Sequence, residues 1–467
     1  MYFAAVVAAG LLLAGRQRDA TDYFLGRRGL PWWAIMLSIV ATETSALTVI
    51  SVPGLAARGD LTFLQLAFGY LAGRIGVAAL LLPGYFAGTQ ETAYARLETR
   101  FGPQTRRVAA GTFLVTRALG DSVRVFATAI PLAIITHWSL PLGILAVGVV
   151  TIFYTWIGGL RAVVWVDVLQ LGVYLLGGIA TLVVATRLAG GPGGYLLAWN
   201  HGKLATLDLS LSFHTTYTLW GGMIGGALLS AASHGTDHLI VQRLLASRHL
   251  ADARRALVGS GVFIIAQFAL FLLVGTSLWL AGADRGMSGD AIYPTFVVER
   301  LPAGLAGLVV AGILAAAMST VASSLNSLAS ASTHDFYAAL TGRRDAGHLL
   351  AVGRWMTLLW AVVLVGGAML FRGRNTPVVE LALSIASLTY GSLLGTYLLG
   401  SLWPRARQRD VILAVVVGVA TMTPVVLGFP VQVLPALAWP WYVPLGTGIT
   451  FATGMLSSAV RRTGGES

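Results

Sequence analysis

From end to end the chain alternates long apolar stretches with short polar, charged or Gly/Pro-rich breaks, and no polar domain intervenes. Splitting at those breaks leaves about thirteen apolar segments, each near the ~20 residues a helix needs to cross a bilayer. They cover 1–15, 31–58, 62–87, 105–134, 139–157, 160–187, 217–243, 254–282, 303–338, 348–371, 376–402, 410–428 and 437–460. In lipid, backbone groups must be bonded within helices or a closed barrel, and segments of this length fit helices. The pattern predicts an all-α polytopic membrane protein. The first segment is short, but it lacks a basic leader region and is followed by Arg16 and Arg18, so it reads as a retained helix rather than a signal peptide.

Composition agrees. Of 467 residues, 56% are hydrophobic and 11% charged, against about 25% charged in soluble domains; the mean hydropathy is +0.77. The net charge of +12 lies in short clusters between apolar runs, which read as topology signals rather than a nucleic-acid surface. With no cysteine there is neither a disulfide framework nor a thiolate metal site.

Those clusters set orientation. Arg16, Arg18, Arg27 and Arg28 follow the first segment, and Arg96, Arg100, Arg106 and Arg107 the third. Arg243, Arg248, Arg254 and Arg255 follow the seventh, Arg343 and Arg344 the ninth, and Arg405, Arg407 and Arg409 the eleventh. Every second connection is thus basic, which places that side in the cytoplasm, the N-terminus outside and the C-terminus inside. Arg372 and Arg374 are the exceptions on the opposite side. A multi-pass protein of the cell membrane is expected, acting as a monomer in the lipid bilayer, with no nucleic-acid partner.

Two segments carry the marks of interrupted helices. The second holds Thr42, Glu43, Thr44, Ser45 and Thr48 at mid-membrane, with Pro53 and Gly54 behind. The seventh holds Gly221, Gly222, Gly225 and Gly226, then Ser233, His234 and Gly235. They stand five segments apart, as they would in two inverted halves, 31–187 and 217–402, with 1–30 and the helices of 410–460 peripheral. Interrupted helices at matching positions point to a transporter's central site.

The ninth segment is alanine-rich yet carries Ser319, Thr320, Ser323, Ser324, Ser327 and Ser330. Small hydroxyl residues let helices pack closely. Alternatively, hydroxyl and carbonyl oxygens replace the hydration shell of a small hard cation. Further oxygens would come from an unwound helix such as the second segment.

The stretches "TDYFLGRRGLPWW", "ATETSALTVISVPGLAARG", "GGLRAVVWVDVLQ", "GTDHLIVQRLLASRHLADARRAL" and "AAAMSTVASSLNS" resemble hallmark segments of the sodium:solute symporter family, in its order and spacing. The resemblance implies a LeuT-like core of five-plus-five inverted repeats and sodium (Na+) as coupling ion. It places sodium at the carbonyls of Ala41, Thr44 and Ala316 and the hydroxyls of Ser319 and Thr320. In some relatives a second sodium is held by residues matching Asp167, Ala322 and Ser323; Ala322 has no side-chain oxygen. A pair with Arg161, or a cap on a neighbouring helix, is the plainer account of Asp167.

Among other polar residues, Arg117, Asp121 and Arg124 share one face of the fourth segment, as an intrahelical pair or with Arg124 clamping a substrate carboxylate. Thr48 and Trp220 are further candidates for the solute, and Tyr70 and Phe63 could stack on it or belong to the core. Gln267 reads as a helix–helix hydrogen bond. His234, Asp237 and His238 fit a structural or gating role better than a metal site, and nothing beyond sodium is expected as a metal. A mid-membrane charge such as Glu43 requires a partner: a cationic substrate group, a helix end across the cavity or, the favoured reading, sodium at slightly longer range. No catalytic spacing links Glu43, Asp167 and His234, and no phosphate-binding loop occurs, so neither an enzyme nor an ATP-driven pump is expected. The reading is a symporter that takes up a small polar organic solute (a sugar, amino acid or carboxylate) with sodium by alternating access. Proton-coupled uptake through Glu43 and a transporter-like membrane sensor are the alternatives.

Overall fold

The computed structural model describes every residue except 1, 16, 89, 285, 372–377, 428–436 and 464–467. Arg16, Arg372 and Arg374, used above for orientation, lie outside the described residues. Among the described residues there is no strand; one isolated bridge joins Leu30 and Ser247. Six helices there are long and apolar enough to cross a membrane: Leu140–Leu188, Leu250–Leu280, Ala303–Thr341, Ala346–Leu370, Gln408–Val426 and Trp439–Arg461. The pair Trp32–Glu43 and Ala46–Arg58 makes a seventh. Helices also occupy the other apolar segments, as Tyr2–Ala14, Leu64–Leu80, Pro103–Thr136, Gly226–Gly235 and Val378–Leu402.

The fifth and sixth segments join with no loop. Helix Leu140–Leu188 turns at Gly159, whose φ of 55° and ψ of −158° are non-helical. A Cβ there would lie 2.4 Å from the Tyr23 carbonyl oxygen, so both the positive φ and the close approach require glycine.

The second segment breaks as its polar run suggests. Its halves meet at 66°, with Thr44 extended at φ −82° and ψ 92°. Pro53 lies inside the second half, not at the break. The seventh segment differs from expectation. Its glycines do not interrupt it: Gly221–Gly225 forms a π turn that runs into Gly226–Gly235, and the chain breaks only at Thr236 and Asp237 before His238–Leu245. The glycines instead admit the third segment. A Cβ on Gly69 would lie 2.1 Å from the Gly222 carbonyl oxygen, and one on Gly73 2.1 Å from that of Ala227. Small residues let backbones approach where no hydrophobic force joins helices in lipid.

The ninth segment is the centre of the molecule. Every residue from Gly312 to Ala331 is buried. Its hydroxyls therefore all face protein, and each requires a partner or a purpose.

Candidate ion and solute site

At the break, one hydrogen-bond ladder ends with the Thr44 N–H donating to the Val40 carbonyl at 3.0 Å. The next begins with the Val49 N–H donating to Ser45 at 3.2 Å. The carbonyls of Ala41, Thr42, Glu43 and Thr44 fall between the two ladders, as the last carbonyls of any helix do. Across from them stands the ninth segment, whose Thr320 hydroxyl lies 3.3 Å from the Thr42 carbonyl and 3.2 Å from that of Ala316. Thr44 is pinned by Gln267, whose Nε2 donates to its hydroxyl at 2.6 Å; Tyr174 in turn donates to Gln267 Oε1 at 3.2 Å. Ala41, Thr44, Ala316, Ser319 and Thr320 are all buried, and Thr320 joins the ninth segment to the break at the Thr42 carbonyl.

Ser319 also connects this place to a second cluster. Its hydroxyl donates to Asp167 Oδ1 at 2.6 Å. Asp167 Oδ2 accepts from Ser38 at 2.5 Å and from Arg243 at 3.1 Å, and the Thr42 hydroxyl lies 3.4 Å away. Both Asp167 and Arg243 are fully buried, so each charge is matched by the other rather than by solvent. Asp167 therefore pairs with Arg243, not with Arg161. Sequence reasoning counted Arg243 among the inner-loop cations. It sits instead on His238–Leu245, the short helix after the break at Thr236, which carries it back into the protein.

A cavity of about 1000 Å³, open solvent at its mouth included, adjoins the break. Glu43, Thr48, Arg124 and His234 all contribute to its walls, as do Tyr70 and Phe63. Glu43 is held by the fully buried Arg74 of the third segment and lies 3.7 Å from His234 Nε2. Glu43 thus has a protein cation as partner, one the sequence reading did not name. Arg74 was legible as a lone cation inside "GYLAGRIGVAALLL", a position that demands a partner. On another wall Asp121 Oδ1 accepts from Arg124 at 2.6 Å and from Arg117 at 3.3 Å, while Arg117 reaches Asp237 at 2.8 Å. Both intrahelical pairs are thus present, and Arg117 also ties the fourth segment to the seventh. Trp220 stands apart. It is 44% exposed and not on the cavity wall, because it precedes the glycine-rich π turn that packs against the third segment.

His234, Asp237 and His238 go to separate partners. His234 Nδ1 lies 2.8 Å from the Ser233 hydroxyl, Asp237 caps the following helix at Leu239, and His238 lies 3.0 Å from Ser330.

A buried, broken helix whose free carbonyls border a solvent-reachable cavity is the layout of a secondary transporter. Residues 23–418 match the sequence model described as Sodium:solute symporter family, and the chain belongs to that family. The human sodium/iodide cotransporter is 29% identical over 428 residues, covering 89% of this chain and 66% of that protein. The sodium/sialic acid symporter of Aliivibrio fischeri is 27% identical over 433 residues, covering 90% and 85%. The chain thus spans just under two thirds of the human protein's length and most of the bacterial one's. A solved structure of a Na+-coupled sialic acid symporter in its substrate-bound, outward-open state shares the fold, with a TM-score of 0.88 at 24% identity over 98% of this chain and 96% of that one. These relatives are sodium-coupled transporters, not enzymes.

Proposed function

We propose that the chain couples inward sodium flow to uptake of one small polar organic solute, of the sugar, amino acid or carboxylate class. Sodium binds between the carbonyls of Ala41, Thr44 and Ala316 and the hydroxyls of Ser319 and Thr320. The observation that carries this reading is the set of unladdered carbonyls at the 66° break, facing a buried hydroxyl face that Thr320 brings within 3.3 Å. Sodium there ties the second segment to the ninth and completes the adjoining cavity. The solute occupies that cavity, against Thr48 and Arg124 and beside the Glu43–Arg74 pair.

The working arrangement is about thirteen transmembrane helices around two inverted halves, 31–187 and 217–402, with the N-terminus outside and the C-terminus in the cytoplasm. The chain works as a monomer in the cell membrane. Rocking of the halves exposes ion and solute to the cytoplasm in turn. One sodium moving down 100 mV supplies about 2.3 kcal/mol, enough to concentrate a neutral solute roughly fiftyfold.

The test is uptake of pooled radiolabelled metabolites into proteoliposomes under an inward sodium gradient, with potassium or a proton gradient as controls. Accumulation that needs sodium supports the reading. Accumulation driven equally by protons without sodium overturns it.

A further inference from the structure

The Asp167 cluster has the chemistry of a second cation site: one carboxylate and the hydroxyls of Ser38, Thr42, Ser319 and Ser323, all buried or nearly so. A cation is already present there. The Arg243 guanidinium donates to Asp167 Oδ2 at 3.1 Å, to Ser38 Oγ at 2.9 Å, and to the hydroxyl of Ser323. A fourth bond, to the Leu239 carbonyl at 2.8 Å, holds the guanidinium to its own helix. We propose that Arg243 is the built-in cation of this cluster, and that the chain accordingly binds one sodium ion, at the broken helix alone.

The oxygen inventory supports this assignment. A serine hydroxyl has one proton to give and two lone pairs. Ser323 gives its proton to the Ser319 carbonyl at 2.7 Å and accepts from Arg243 and from Thr42, the latter at 3.1 Å. It has nothing left with which to ligate an ion. One residue earlier the helix presents Ala322, which has no side-chain oxygen. With the single Thr42 proton spent on Ser323, Asp167 Oδ2 accepts from Ser38 and Arg243, and its other oxygen holds the Ser319 proton. That last bond turns the Ser319 lone pairs away from Asp167, so the arginine-neutralised cluster also orients a ligand of the single site. A guanidinium suits this place because its planar fork reaches carboxylate and hydroxyls together, and it cannot leave with the transported ion.

The inference rests on the sodium reading above, and one measurement separates the two. Purified full-length protein in lipid nanodiscs is titrated with 22Na+, and ions bound per chain are counted at saturation. The expected count is one, and Asp167→Asn leaves it at one. Removing the guanidinium with Arg243→Met leaves Asp167 unmatched, and the count rises to two; adding Asp167→Asn to that variant returns it to one. A count of two in the unaltered chain that falls to one in Asp167→Asn overturns the inference, and does so even where Arg243→Met fails to fold. A count that stays at one in folded Arg243→Met also overturns it. A count of zero in the unaltered chain sinks the sodium reading itself.

Discussion

Gln267 Nε2 lies 2.6 Å from the hydroxyl of Thr44, so the residue at which the second segment breaks is held by a side chain from the eighth. The bond fixes the break without using the Thr44 carbonyl. Gln267→Leu keeps the bulk and removes the donor. A hydrogen bond between membrane helices is worth about 0.6 kcal/mol on average. Sodium half-saturation of uptake should rise roughly threefold, with maximal uptake little changed. An unchanged half-saturation would show that the break holds its shape without Gln267.

The double variant Ser319→Ala, Thr320→Ala removes both hydroxyls of the proposed sodium site, of which Thr320 reaches the Thr42 carbonyl. Its thermal stability without sodium should fall by only about 1–2 kcal/mol, the scale of two such hydrogen bonds. Sodium activation of uptake should weaken at least tenfold. If sodium still stabilises the double variant against heating as it does the unaltered protein, the site is misplaced.

Glu43→Gln keeps shape and leaves the buried Arg74 without a countercharge. Breaking one side of a buried pair costs about 3–5 kcal/mol, an upper bound here because the Glu43 side chain is 17% exposed. The prediction is a marked loss of thermal stability, largely recovered when Arg74→Met is added. Were Glu43 instead a direct support for sodium, Glu43→Gln would weaken sodium binding while stability stayed put.

Arg124 lies on the cavity wall and Trp220 does not. Arg124→Gln should therefore raise the solute KM several-fold, whereas Trp220→Ala should leave it within a factor of two. Reversal of that order in an uptake assay would move the solute out of this cavity.

Periodicity and composition made the helical architecture legible, because apolar length is a strong physical signal in a membrane protein. The break of the second segment was legible too, since Thr42–Ser45 places polar and β-branched residues where a continuous helix gains least. The position of the seventh segment's break was not. Glycine signals both interruption and close packing, and only the facing backbone of Gly69 and Gly73 distinguishes the two. The pairings of charge were hidden for a different reason. Arg74 with Glu43 and Arg243 with Asp167 join residues 31 and 76 positions apart, and no local pattern states which buried carboxylate a buried cation will meet. Arg243 was further masked by its place near a basic connection.

The ninth segment is enclosed by protein on all sides from Gly312 to Ala331. A helix with so many hydroxyls and no lipid-facing stripe is poorly suited to rest alone in a bilayer, so the order of synthesis matters to it. It packs on Trp32–Glu43, Ala46–Arg58, Pro103–Thr136, Leu140–Leu188 and His238–Leu245, and all of these leave the ribosome before it does. Among the described residues, Ala346–Leu370 is its one substantial neighbouring helix still to come. The cradle is thus made first and the ninth segment is laid into it, which spares a hydroxyl-rich helix a solitary wait among lipid tails.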